Sequence, residues 1–290
     1  MPDDTAPTTR RQFLASAAVG ALVAAGGARA DESASAPAAT KPRLELGFPT
    51  YMFKNYTLDQ TIEMMRRVAV GHICIRSNLL PLSSTDEQIA AAIRKVTDAG
   101  LSVYGGGVIY MRTEPDVGRA FEYARAAGFK LISISLRPEL LGLLEKKVRE
   151  HDIRAAIHNH GPEDKLWPTP AAIHEKVRTL DRRIGICHDT GHTLRAGADP
   201  VAQTLQTADR LMDIHLKDVD QAAAKGHSLE LGRGIMDVPK FLRALAKIGF
   251  AGVLGIEYEK HMDDLLPGLA ESVGYVRGVM AGMARQDASS

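Results

Sequence analysis

The sequence predicts a single α/β domain, a (β/α)8 barrel of the TIM type. Three observations predict it. Short apolar segments alternate with helical patterns eight times from Leu44 onward. Their starts recur roughly every 30 residues until a longer last gap, which carries extra loop at 219–236. Polar residues gather where the apolar segments end, and the segment beginnings carry no matching set.

The strand segments are 44–52, 72–77, 102–109, 131–136, 154–160, 184–189, 211–217 and 252–258. They are short and rich in Ile and Val, as strands covered on both faces should be. Helical patterns fill 57–69, 85–99, 115–127, 138–150, 169–180, 199–208, 237–248 and 264–282. Thr57 ahead of Leu58-Asp59-Gln60, and Asp237 ahead of Pro239, read as helix starts. Gly100, Gly128 and Gly249 read as helix stops. A doubly wound open sheet is the competing architecture. Its phosphate-binding turn is not matched, because Gly105–Gly107 falls inside a strand rather than after one.

The barrel is expected over 43–285. Ahead of it, residues 1–30 read as a twin-arginine signal peptide: Arg10-Arg11, then Phe13-Leu14, a mild apolar run, and the cleavage pattern Ala28-Arg29-Ala30. The run is short and rich in Ala and Gly, which disfavours a stable membrane span. Residues 31–42 read as a flexible linker. The expectation is a protein exported to the periplasm, with no stable membrane insertion after cleavage. The whole chain carries 36 basic and 35 acidic residues, a net charge of +1. Removing residues 1–30 takes Arg10, Arg11 and Arg29 from the first group and Asp3 and Asp4 from the second, so the two then balance. That balance and an aromatic content of 5 % argue against a nucleic-acid partner.

The two cysteines, Cys74 and Cys187, share strand parity with Arg76 and Asp189. Both should point into the barrel from opposite walls, too far apart to bond. They are expected to be free and buried.

Candidate chemistry lies at the strand ends. The second strand ends in Arg76, the fifth in His158-Asn159-His160, and the sixth in Asp189 followed by His192. The seventh ends in His215-Leu216-Lys217 and the eighth in Glu257-Tyr258-Glu259. Alternation puts His158 with His160, His215 with Lys217, and Glu257 with Glu259 on common faces. Asp189, His215 and Glu257 would then deliver two carboxylates and an imidazole to the barrel mouth, with His158 as a fourth ligand. Such a set suits Mn²⁺, Zn²⁺, Co²⁺ or Fe²⁺ better than Ca²⁺. A cation would also account for a carboxylate at the end of an apolar strand. His192 should face substrate, and His188, of opposite parity, should point to the helix layer. His160, Lys217 and Glu259 are the base candidates. Lys217 and Glu259 could equally be salt-bridge partners. Arg76 either holds an anionic group inside the mouth or binds substrate. Arg233, in the Gly-Arg-Gly turn of 232–234, is a candidate substrate contact.

The motifs HNHGPED (158–164), HDTGH (188–192), DIHLKDV (213–219), LGRGIMD (231–237) and GIEYE (255–259) resemble those of the xylose-isomerase-like barrel superfamily, which includes sugar phosphate isomerases and epimerases. The resemblance covers roughly residues 44–283. It implies one divalent metal, often Mn²⁺, held by Glu, Asp, His and Glu. Asp189, His215 and Glu257 fill the last three positions. The first departs from the pattern, with His158 where the epimerases carry Glu. The two-carboxylate proton shuttle then lacks one member.

The function expected is a metal-dependent sugar isomerase or epimerase acting through an enediolate on a keto-sugar or keto-glycoside. The alternative is a lyase or hydratase eliminating across a 3-keto-glycoside. A metal-dependent endonuclease of the same fold and a non-catalytic sugar-binding protein rank below these. Self-association is left open.

Overall fold

The computed structural model describes residues 44–289. The expected signal peptide and linker, 1–42, lie outside the described residues. Eight parallel strands close into a barrel in the order β1-β10-β7-β6-β5-β4-β3-β2. They are β1 (Glu45–Pro49), β2 (His72–Ile75), β3 (Ser102–Met111), β4 (Leu131–Leu136), β5 (Arg154–His158), β6 (Ile184–Asp189), β7 (Leu211–Leu216) and β10 (Val253–Ile256). Between β7 and β10 sits a two-stranded antiparallel hairpin, β8 (Asp218–Val219) and β9 (Ser228–Leu229).

The helical layer consists of α1 (Leu58–Arg67), α2 (Asp86–Asp98), α3 (Glu114–Ala126), α4 (Leu141–His151), α5 (Pro170–Val177), α6 (Thr190–Arg195), α7 (Pro200–Gln206), α8 (Val238–Lys247) and α9 (Leu266–Ala288). The predicted helix starts are real caps. Thr57 accepts from the Gln60 backbone while the Gln60 side chain accepts from Thr57, a reciprocal box. The Asp237 side chain accepts from Lys240 N. Gly100, Gly128 and Gly249 follow their helices with φ of 81°, 71° and 69°, which relieves the steric cost of ending in the left-handed region.

Two features exceed the sequence expectation. The segment after β6 is the short helix α6 rather than loop, because the Asp189 side chain caps it by accepting from His192 N at 2.7 Å. The long last connection is also ordered. The buried Asp218 carboxylate accepts four backbone N–H groups, from Val219, Gly232, Gly234 and Met236, at 2.9–3.0 Å. LGRGIMD is therefore a wrapping around Asp218.

The principal core lies between the sheet and the helices. In α8, Val238, Phe241, Leu242 and Leu245 are fully buried at helical spacing. Each such side chain contributes about 1.5–3 kcal/mol of burial. Leu131, Ala156 and Cys187 form a separate small buried cluster with Met212 packed against it. Most apolar burial is thus outside the polar mouth, whose residues are free to serve chemistry. Cys74 and Cys187 are buried and unbonded. Among the described residues, no helix is long and apolar enough to cross a membrane.

Candidate metal centre and substrate cavity

The strand ends converge as their parity requires. His158, Asp189, His215 and Glu257 come from β5, β6, β7 and the residue after β10, and all four are buried. Each offers a ligand atom, all within 4.8 Å of one another. His158 Nε2 lies 3.0 Å from His215 Nδ1 and 3.6 Å from Asp189 Oδ2. His215 Nδ1 lies 2.7 Å from Glu257 Oε2. A second grouping, His158 with Cys187 and His215, is spatially close as well. Burial, with Asp213 adding to it, pushes the Cys187 thiol up to about 12, so the thiolate that a metal needs is scarce there. The carboxylate set is the better cation site.

Charge supports a cation. Lys217 is 2 % exposed, and its ammonium lies 2.9 Å from Glu257 Oε1, 3.2 Å from Asp189 Oδ2 and 3.4 Å from Glu259 Oε2. Burial opposes the ammonium, but the three carboxylates outweigh it and hold Lys217 protonated well above its ordinary range. Carboxylates thus outnumber the ammonium at the cluster, and a dication there would offset charge that Lys217 alone does not. Asp189 Oδ2 also has no hydrogen-bond partner although it is fully buried. The residues present fit a divalent metal. Gly191 makes room for Lys217, since a Cβ there would sit 2.6 Å from the lysine Cγ.

Behind the cluster, Asp213 Oδ2 faces His215 Nε2 at 3.6 Å and accepts from Ser133 Oγ at 2.7 Å. A carboxylate behind an imidazole orients the ring for a metal. Asp213 is not among the residues that the sequence pattern singles out. Its signal was available: it stands two residues before His215, on the same face. Asn159 ties β5 to β6 by accepting from Asp189 N at 2.9 Å and donating to Asp189 O at 3.1 Å.

Above the cluster lies a cavity of about 240 Å³. His158, His215 and Glu257 form its floor, and His160, His192, Glu259 and Arg76 line it with Pro49, Tyr51, Val108 and Tyr110. His192 Nδ1 lies 3.1 Å from Arg195 Nη1. Arginine can only donate, so His192 Nδ1 accepts and its Nε2 carries the hydrogen. Burial draws His192 down to about 4, so the ring is neutral. His160 Nε2 pairs with Tyr110 Oη at 3.2 Å. Burial raises the Glu259 carboxyl to about 7, with Lys217 pulling the other way and Glu257 adding to the rise. Tyr51, Tyr110 and Arg195 carried no sequence signal.

One expected outward residue and one sequence candidate lie away from the cavity. His188 points to the helices as parity requires, between Thr193 and Thr204 and against Phe241. Arg233 does not line the cavity. It is exposed and paired with Glu271, its Nη2 at 2.8 Å from Oε2, because the turn around Asp218 carries its side chain outward.

The segment carrying Glu259 is held by a second buried carboxylate. Glu230 accepts from Tyr258 Oη at 2.8 Å and pairs with Lys260 Nζ at 3.0 Å. Burial works against the carboxylate, but a backbone hydrogen bond, Lys260 and Tyr258 together lower it from 4.5 to about 2. The folded value lies below the unfolded one, so the stabilisation is complete above pH 4.5 and disappears as pH falls to about 2. Over that window the wild type should lose more thermal stability than Glu230→Gln. Parallel acid-melting curves would contradict this.

A family profile described as "Xylose isomerase-like TIM barrel" matches residues 139–278. Solved structures extend the likeness to the whole barrel. An L-ribulose 3-epimerase superposes with a TM-score of 0.69 at 14 % identity, covering 85 % of this chain and 97 % of that one. The fold is that of the xylose isomerase-like TIM barrels. The probable 3-DHS dehydratase AsbF from Bacillus anthracis shares this xylose isomerase-like fold, with a TM-score of 0.65 at 13 % identity, covering 80 % of this chain and 98 % of its own. So does the IOLI protein with a binding zinc atom, with a TM-score of 0.64 at 15 % identity, covering 82 % and 97 %. Among curated proteins, the rhizopine catabolism protein MocC of Rhizobium meliloti is 27 % identical over 183 residues. That match spans 54 % of this chain and only 54 % of MocC.

Proposed function

We propose that this chain is a divalent-metal-dependent enzyme that removes the proton beside the carbonyl of a keto-sugar or keto-glycoside. The observation that carries the reading is the convergence of His158, Asp189, His215 and Glu257 beneath a cavity that also presents Glu259 and His160. A divalent cation on those four residues, with Mn²⁺ preferred and Zn²⁺ or Co²⁺ as alternatives, supplies Lewis-acid stabilisation for charge growing on substrate oxygens.

The remaining work belongs to side chains. Glu259 takes the proton: it lines the cavity, whereas Lys217 lies behind it, locked among carboxylates. His192 Nε2–H donates to a substrate oxygen. Return of the proton to the neighbouring carbon gives isomerisation, and return to the opposite face gives epimerisation. The second reading, elimination across a 3-keto-glycoside, is favoured by the Tyr110–His160 pair, which can protonate a departing oxygen. Epimerisation wants a second carboxylate, and β5 ends in His158 instead. Epimerase and dehydratase relatives of this fold accord with both readings. Export through Arg10-Arg11 is part of the same proposal, and fractionation of the native host would test it.

Metal content is the test. The mature domain purified without added metal should hold near one Mn, Zn or Co per chain, and Asp189→Ala should hold almost none. Folded protein without metal in either form would sink the reading and favour a sugar-binding protein.

A further inference from the structure

Arg76 stands apart from every other charge in the cavity. Among the described residues its guanidinium makes no hydrogen bond and no ion pair with any side chain. Its backbone N–H donates to Thr50 Oγ1 at 2.8 Å, which fixes the main chain and leaves the side chain unspent. What holds the guanidinium is aromatic. Its central carbon lies 4.4 Å from the centroid of Tyr51 and 5.8 Å from that of Tyr110. All three residues line the cavity above the ligand cluster.

Stacking on rings restrains a guanidinium without using its N–H donors, which lie in its own plane. The donors therefore remain free for a ligand. The charge balance adds direction. Asp189, Glu257 and Glu259 all pair with Lys217, so none of them is committed to Arg76, whose charge is left for a ligand.

We propose that Arg76, braced by Tyr51 and Tyr110, is an oxyanion subsite, and that the substrate carries a carboxylate or a phosphate on the part of the molecule away from the reacting carbonyl. The planar fork of arginine binds such groups through paired N–H···O contacts. The inference rests on the proposed metal-dependent sugar chemistry and narrows its substrate to an acidic or phosphorylated sugar.

Calorimetric titration of the metal-loaded protein with D-glucuronate, D-glucose 6-phosphate and D-glucose tests this. At least one of the two anionic sugars should bind about tenfold or more tightly than glucose. The preference should vanish in Arg76→Gln, while glucose affinity changes less than about twofold. Arg76→Lys, which keeps the charge and loses the fork, should retain part of it. Tighter glucuronate points to a carboxylate on the substrate, and tighter glucose 6-phosphate to a phosphate. Equal binding of all three sugars by the wild type, a preference that survives in Arg76→Gln, or no binding of any of them would overturn the subsite. Metal content of the same samples separates the outcomes: a wild type that holds its metal yet shows no anion preference loses the subsite and keeps the metal chemistry.

Discussion

Lys217→Met is expected to be the most destabilising single substitution at the mouth of the barrel. The methionine fills nearly the same space but removes the one ammonium that faces Asp189, Glu257 and Glu259. Breaking a buried ion pair by deleting one partner typically costs about 3–5 kcal/mol, because the survivors are left charged and dry. For a domain of this size that is roughly 6–20 °C in the melting midpoint. Metal modulates the loss in a defined direction. With the metal stripped, His215 beside Glu257 is the other positive group left near the three carboxylates, and the larger effect should appear. With a dication bound, part of the repulsion is relieved and the gap to wild type should narrow. Acid should narrow it too, since the crowded carboxylates then neutralise by protonation. Urea unfolding of both proteins, with and without Mn²⁺, reads this directly. A metal-free variant as stable as the metal-free wild type would show that Lys217 does not hold the cluster together.

The sequence disclosed the barrel because its physics is repetitive. Each βα unit writes the same apolar run and the same amphipathic helix, so eight noisy signals reinforce one another. The convergence of four candidate ligands was legible for a related reason. Strand alternation is a rigid rule, and His158, Asp189, His215 and Glu257 each sit where a strand ends. Asp213 could have been read by the same rule from its spacing to His215. Other parts depended on contacts between distant segments. Arg195 reaches His192 one turn earlier on α6, but its other partners are Glu163 and the Ala224 carbonyl, which no local pattern connects. The outward turn of Arg233 follows from four N–H groups closing on Asp218 across as many as eighteen residues. A glycine-flanked arginine near a mouth looks functional in one dimension. Its place is decided by a capped carboxylate that the chain reaches only when folded.

The second large effect concerns catalysis. Glu259→Gln should lower kcat by about 10²- to 10⁴-fold on the keto-sugar or keto-glycoside that the wild type turns over, the usual worth of a positioned general base. The amide keeps the shape and loses the basicity. Metal content should stay near the wild-type level, since Glu259 is outside the group of four whose ligand atoms converge. KM should change little if Glu259 acts in the transition state rather than in binding. This pattern separates Glu259 from its rivals. His160→Asn should spare exchange of the substrate proton with solvent deuterium, because in the proposed elimination the Tyr110–His160 pair would serve the departing oxygen. Glu259→Gln should abolish that exchange. Lys217 variants should lose stability first, since the ammonium they remove neighbours two of the four candidate ligands. A Glu259→Gln enzyme that retains more than about a tenth of wild-type kcat would assign the base elsewhere, and His160, 4.6 Å from His158 between ring centres, would be the residue to examine next.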